Sequence, residues 1–301
     1  MTDEIKTLRA ENKMLRRTVE SMTASAARKK VPSLTRVKAR SRKDDTIRVI
    51  IPDSHGSSID QTAERVFLAD LRRLDPDQIV MTGDHVDCGG FLAAHHTLGF
   101  IAETTYTYED DLGWANRFLD GVQAEAPRCR EIHYLEGNHE ERIERWCIDK
   151  CLGKSQDAEM LRRAFAPEFK LNLRERGIRY YRRSQRYGTS LHGTIKLGKC
   201  HFTHGTSTAK MAASVMSSQF GANVVFGHTH RADAYIATPV GLGTIGAWNP
   251  GCLCKLQPLW QHARPTSWTH GYAVQIVARS GNFLHINVPI AGGVSLLNGL
   301  L

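Results

Sequence analysis

The chain has 301 residues, 41% of them hydrophobic and 24% charged, which suffices for a sizeable core and excludes a disordered protein. No stretch reaches the roughly 20 consecutive apolar residues that a membrane helix requires, and the polar N-terminus has no apolar segment of secretory type, so a soluble, cytoplasmic protein is expected. The formal net charge of +9 is confined to one end: residues 1–43 hold thirteen Lys and Arg against four Asp and Glu, whereas residues 44–301 hold 27 of each.

That division predicts a basic arm, residues 1–43, on a neutral domain, residues 44–301. In the arm, Ile5, Leu8, Asn12, Leu15, Val19 and Met22 alternate spacings of three and four, as the a and d positions of a short coiled coil do. Asn12 at an a position favours a parallel homodimer in register, and Glu11 at g can meet Arg16 at e of the second copy. The alternative is an amphipathic helix that packs on the main domain or frays. Residues 24–45, "ASAARKKVPSLTRVKARSRKDD", have a proline and no apolar period, and read as a flexible basic linker.

Beyond residue 44 the pattern alternates strands and helices, as α/β folds do. "TIRVIIPD", "QIVMTGD", "EIHYLEGN", "KCHFTHG" and "NVVFGHTH" each run through β-formers and stop in polar residues. Between the second and third, "DLGWANRFLDGVQAEA" is a helix with Trp114, Phe118, Leu119 and Val122 on one face. Near the C-terminus "YAVQIVARSGNFLHINVPI" reads as two strands around a Ser-Gly-Asn turn. The seven cysteines form no CxxC pair and are expected to be reduced thiols.

The strand ends carry Asp53 and His55, Asp84 and Asp87, Asn138 and His139, His204, and His228 and His230. Ligands of α/β folds gather at the carboxyl ends of strands, so these groups are expected on one rim. Residues two apart on a strand end point the same way, so Asp53 with His55, and His228 with His230, can each grip one object. Mixed nitrogen and oxygen donors suit Mn, Fe or Zn better than Mg or Ca.

The ordered blocks Asp53-Ser54-His55, Gly83-Asp84-His85-Val86-Asp87, Gly137-Asn138-His139-Glu140, His204-Gly205 and Gly227-His228-Thr229-His230 resemble those of the calcineurin-like metallophosphoesterases. The resemblance covers roughly residues 46–252, and "WNPGC" at 248–252 is similar to a segment of bacterial and phage members. It implies a β-sandwich flanked by helices, in α-β-β-α layers. It also implies two divalent metal ions, manganese first with iron or zinc as alternatives. Asp53, His55 and His230 would hold one ion, Asn138, His204 and His228 the other, and Asp84 would bridge them. A metal-bridging hydroxide would attack the phosphoester. His139 would stabilise the transition state or protonate the leaving oxygen, oriented by Asp87; the alternatives are a supporting role for His139 and a loop cap for Asp87.

His85 and Arg231 are the candidate substrate contacts, while His95, His96 and His133 match no ligand position. Protein serine/threonine phosphatases carry a phosphate-gripping arginine where this chain has Cys88. The substrate expected is therefore a nucleic acid, nucleotide or other small phosphoester rather than a phosphoprotein. "NLRERGIRYYRRSQRYG", residues 172–188, interleaves six arginines with Tyr180, Tyr181 and Tyr187 and could, with the basic arm, follow a nucleic acid backbone. An ordinary solvated strand face is the alternative. The function alternative is a catalytically weak metal-binding scaffold whose arm binds nucleic acid or a partner protein. All the ligand blocks are present, which favours the enzyme.

Overall fold

β1 (Thr46–Ile51) is almost wholly β-branched, and Val49, Ile50 and Ile51 are fully buried. A strand buried on both faces needs a layer on each side, and the fold supplies both. The computed structural model describes residues 45–88, 107–151, 155–241, 243–258, 261 and 265–299. The coiled coil, basic linker and homodimer expected of residues 1–43 lie outside the described residues, as do His95 and His96.

After β1 come α1 (Gln61–Leu74), β2 (Gln78–Met81), α2 (Tyr108–Glu125), β3 (Glu131–Leu135), α3 (Asn138–Lys150), α4 (Ser155–Phe165), α5 (Pro167–Lys170) and β4 (Ile178–Tyr181). They continue as β5 (Thr194–Leu197), β6 (Cys200–Thr203), α6 (Ala212–Phe220), β7 (Val224–Phe226), β8 (Ala232–Ala237) and β9 (Ile245–Pro250). β10 (Gly271–Val277), β11 (Phe283–Ala291) and β12 (Val294–Ser295) end the order. One sheet runs β12-β11-β10-β1-β2-β3-β4 and the other β5-β6-β7-β9-β8. β1 to β4 are mutually parallel, with Ile50 opposite Val80 and Val80 opposite His133. In the second sheet β6, β7 and β9 are parallel.

Strand alternation divides the core. Val49, Ile51, Ile79 and Met81 pack against Phe67 and Leu71 of α1, Phe118, Leu119 and Val122 of α2 and Ile143 of α3. Their neighbours Ile50, Val80, Leu135 and Ala273 meet Ile195, Phe202 and Val225 of the second sheet. Ala212, Ala213 and Met216 of α6 cover that sheet through Val224, Phe226 and Ala247. The layers are helix, sheet, sheet, helix, the order the resemblance implies.

A polar seam runs between the sheets. Buried Arg48 is held by two amides, donating to Gln78 and, at 2.7 Å, to Gln275. Its guanidinium lies 5.1 Å over the Phe202 ring. Gln275 Nε2 in turn lies 3.2 Å from His285 Nδ1, and His285 Nε2 lies 2.9 Å from Asn287 Oδ1. Each nitrogen has its own partner only in the neutral tautomer. Burial pushes this imidazole from 6.5 down to about 4. Below pH 6.5 the unfolded chain therefore takes up a proton that the folded chain refuses, and stability falls toward pH 4. His285→Gln should remove that share, at most about 2 kcal/mol at pH 5. Urea unfolding at pH 7 and pH 5 checks it: the variant should lose less stability on acidification than the parent, and equal losses would refute the assignment.

Candidate metal centre

The polar residues that follow β1, β2, β3, β6 and β7 meet at the carboxyl ends of the strands of both sheets. Bringing five chain segments so close requires unusual backbone. A Cβ on Gly137 would sit 2.0 Å from Asp84 Oδ1 and 2.3 Å from Asp84 N, so only glycine admits the two loops together. His55, Asp84, Cys88, His228 and His230 have φ between 53° and 72°. These are five of the seven non-glycine residues with positive φ among those described, a concentration typical of functional sites.

Asp53, His55, Asp84 and His230 form one set of donor atoms lying within 4.8 Å of one another, and Asp84, His204 and His228 form another. Asp84 belongs to both. Asn138 Oδ1 joins the second set, 2.9 Å from His204 Nε2. Within the first, His230 Nε2 is 2.9 Å from Asp53 Oδ2 and 3.0 Å from His55 Nε2. Within the second, His204 Nε2 is 3.2 Å from Asp84 Oδ2 and 3.2 Å from His228 Nδ1.

The donors fit divalent cations. Three imidazoles are held by the nitrogen that faces away from the cluster: His55 Nδ1 at 3.0 Å from Asp87 Oδ1, His204 Nδ1 at 2.9 Å from the Thr82 carbonyl, and His230 Nδ1 at 3.9 Å from Cys254 Sγ. Each ring thus turns Nε2 inward, as metal-binding histidines do. Burial alone would raise the Asp84 carboxyl, but the imidazoles of His204, His139 and His55 hold it well below the usual carboxylate range. Asp87 is likewise held low, against burial, by His139 and His55. His228 is driven down to about 4 by burial and by His204. Anionic carboxylates beside imidazole nitrogens, with the His55 and His228 rings shifted toward the neutral form, are the ligand types of a borderline divalent ion.

His139 stands at the mouth with 14% of its side chain exposed. Its Nδ1 lies 2.8 Å from the Asp87 carbonyl and 3.1 Å from Asp87 Oδ1, both acceptors, so Nδ1 carries the proton. Nε2 is 3.8 Å from Asp84 Oδ2. Burial opposes the charge on this ring, yet Asp84 and Asp87 raise it to about 9. Asp87 touches both His55 and His139 and so ties the ligand set to the mouth.

Several expectations are corrected. The pairing of His228 with His230 that strand alternation allows gives way to the division the resemblance implies: β7 has stopped at Phe226, both residues are left-handed, and strand alternation no longer applies. His228 meets His204, whereas His230 meets Asp53 and His55. His85 is not at the mouth. Left-handed Asp84 turns it into the core, where it contacts Ser54 Oγ at 2.9 Å and lies between Phe118 and Tyr134, and burial pushes it down to about 3. Arg231 donates to the Ala209 carbonyl at 2.6 Å and ties down the loop after His204.

In residues 172–188, Arg176 pairs with Asp120, Arg179 with Glu131, Arg182 with Glu144 and Arg183 with Glu141. Tyr180 donates to Glu136 and Tyr181 packs on His133 and Tyr187. His133 is a buried strand residue bound to Tyr181. All seven cysteines are free, and Cys88 is buried with its N–H on Asp111.

Two supporting carboxylates escaped the sequence reading. Glu140 accepts the N–H groups of Asp84, His85, Val86 and Gly137 and the Tyr134 hydroxyl. Asp111 accepts those of Ser57 and Cys88 at 2.9 Å each. For Glu140 a signal existed: it is the third residue of α3, where a carboxylate reaches back to the N-cap Gly137.

Buried carboxylates and imidazoles at the ends of two packed sheets form, in an α-β-β-α fold, a cluster able to hold divalent metal. The chain belongs to the calcineurin-like phosphoesterase family, whose model matches residues 49–232. Similar solved structures include Vps29 of Entamoeba histolytica (14% identity, covering 81% of this chain and 99% of that one, TM-score 0.35). Others are Vps29 of Cryptosporidium parvum (9%, 84% and 95%, TM-score 0.40) and YfcE, a phosphoesterase from E. coli (14%, 80% and 98%, TM-score 0.32). No curated protein sequence matches the chain significantly. Among the described residues no helix is long and apolar enough to cross a membrane.

Proposed function

We propose that the protein is a dinuclear metal-dependent phosphoesterase. The observation that supports this reading best is that Asp84 belongs to two adjoining donor sets, the arrangement a bridging carboxylate requires. Asp53, His55 and His230 complete one set and Asn138, His204 and His228 the other, with manganese the first candidate ion and iron or zinc next. When bound, the two cations supply a water of lowered pKa and neutralise phosphate oxygens. The chain's part is to hold those donors fixed and to move a proton. As the bond between phosphorus and the leaving oxygen breaks, His139 Nε2 gives its proton to that oxygen while Asp87 holds Nδ1.

The substrate class proposed is a nucleotide or other small phosphoester. Three of the six arginines in residues 172–188, Arg176, Arg179 and Arg182, face carboxylates within 3.4 Å, which weakens that stretch as a track for a polyanion. A nucleic acid would instead depend on the basic residues 1–43, with steep loss of affinity as salt rises.

A panel of aryl monoester, aryl diester, nucleotides and single- and double-stranded DNA, with added manganese and with chelator, tests the reading. Metal-dependent hydrolysis of at least one substrate is expected; no hydrolysis of any would leave the scaffold alternative. His139→Ala should lower turnover by roughly 10² to 10⁴ with unchanged metal content by elemental analysis. Undiminished turnover would remove His139 from the chemistry.

A further inference from the structure

Two arginines stand beside the candidate centre without belonging to either donor set. Arg142, on the first turns of α3, has Nη1 3.0 Å from His139 Nδ1. That nitrogen already donates to Asp87, so the contact is a close approach of two donors with no hydrogen bond between them. Two acids of the same helix are taken by other arginines, Glu141 by Arg145 at 3.1 Å and Glu144 by Arg182 at 2.6 Å, and Glu140 by backbone N–H groups. Among the described residues Arg142 forms no ion pair, although it is half-buried beside the charged mouth.

Arg183 follows the end of β4. Its backbone N–H donates to Glu136 Oε2 at 2.7 Å, which fixes it at the carboxyl end of β4 next to the loop that delivers Asn138. Its Nε reaches the already shared Glu141 only at 3.6 Å, and its Nη1 is buried without a hydrogen-bond partner. Its charge is felt at His204 and His228, where it opposes protonation. A buried guanidinium nitrogen left unmatched is costly, and a phosphate oxygen would satisfy it.

We propose that Arg142 and Arg183 grip the substrate phosphate oxygen that is not turned toward the metals, and so fit the site to phosphomonoesters over diesters. The inference rests on the phosphoesterase reading above and narrows its substrate. A monoester dianion has three non-bridging oxygens, so one remains after two face the cations. A diester has only two, and turns an esterified, uncharged oxygen toward the arginines. The guanidinium pair is therefore matched to the first and wasted on the second.

The test uses the full chain loaded with manganese, its Arg142→Gln and Arg183→Gln variants, and Arg142→Lys. Hydrolysis of p-nitrophenyl phosphate and of bis(p-nitrophenyl) phosphate is measured beside calorimetric binding of inorganic phosphate and elemental analysis. Each Gln variant should lose about tenfold to a hundredfold in kcat/KM on the monoester, largely through KM, and a similar factor in phosphate affinity. Diester hydrolysis and metal content should change little. Arg142→Lys should recover only part, since a point charge cannot reproduce the fork. Equal losses on both esters, or unchanged phosphate affinity, would overturn the proposal. If the parent chain hydrolyses nothing, the phosphoesterase reading fails. Phosphate binding then decides the arginines separately, a drop in the variants supporting them and no drop refuting them.

Discussion

Asp84→Ala should abolish hydrolysis and empty the centre, the largest effect expected of any single substitution. Asp84 is fully buried, its carboxylate lies 3.2 Å from His204 and 3.8 Å from His139, and its Oδ1 accepts the His139 N–H at 2.8 Å. Without it both donor sets lose an anionic member and the imidazoles lose the charge that organises them. Elemental analysis should show metal content falling from two ions per chain toward none, with hydrolysis at background. Asp84→Asn, which keeps an acceptor for His139 but not the charge, should retain the fold by circular dichroism and still lose metal. Full activity with two ions in purified Asp84→Ala would sink the bridging assignment.

Glu140→Ala should be the most destabilising change near the site. Two carboxylate oxygens accept four backbone N–H groups and one hydroxyl: Asp84 at 3.0 Å, His85 at 2.7 Å, Val86 at 3.3 Å, Gly137 at 3.0 Å and Tyr134 at 2.8 Å. Burial, and then the Asp84 carboxylate, push its acid upward, so the side chain is held there by the donors it serves. Deleting it leaves those donors unmatched in a buried loop, a loss of about 3–5 kcal/mol, comparable with the whole stability of a marginal domain. Urea unfolding measures it. Should the Ala variant be insoluble, Glu140→Gln keeps one acceptor, and an intermediate midpoint is expected because its amide hydrogens face donors. A midpoint equal to the parent's in either variant would refute the role.

The strand ends were legible because apolar β-branched runs stop abruptly at Asp53, Asp84, Asn138, His204 and His228, and parallel strands deliver their ends to one rim. The four-layer fold followed from the family resemblance together with the alternation of strands and helices. What spacing could not convey was direction beyond the last strand residue. Left-handed φ at Asp84, His228 and His230 breaks the two-residue rule, which is why His85 entered the core and why His228 parted from His230. Asp111 was hidden for another reason: its partners are the backbone N–H groups of Ser57 and Cys88, and nothing in the sequence marks those as needing an acceptor, whereas the N3 position of Glu140 was a signal that showed only its bond to the N-cap. The ion pairs that occupy the arginines of residues 172–188 come from helices and strands distant in the chain, such as Glu144 with Arg182.

Asp53, Asp84 and Asn138 come from the seven-stranded sheet, whereas His204, His228 and His230 come from the five-stranded one. An ion held between them would act as a rivet across the seam, and its affinity would report how firmly the two sheets are aligned. A small buried cluster around Ile50, Val80, Leu135, Phe202 and Val225 packs the sheets together beside the polar seam of Arg48. A void opened there, at residues that are themselves no ligands, would let the sheets slide by fractions of an ångström while each kept its own strands intact. Such a lesion would surface first as weakened chelation and only later as lost secondary structure, so the centre doubles as a gauge of the protein's interior.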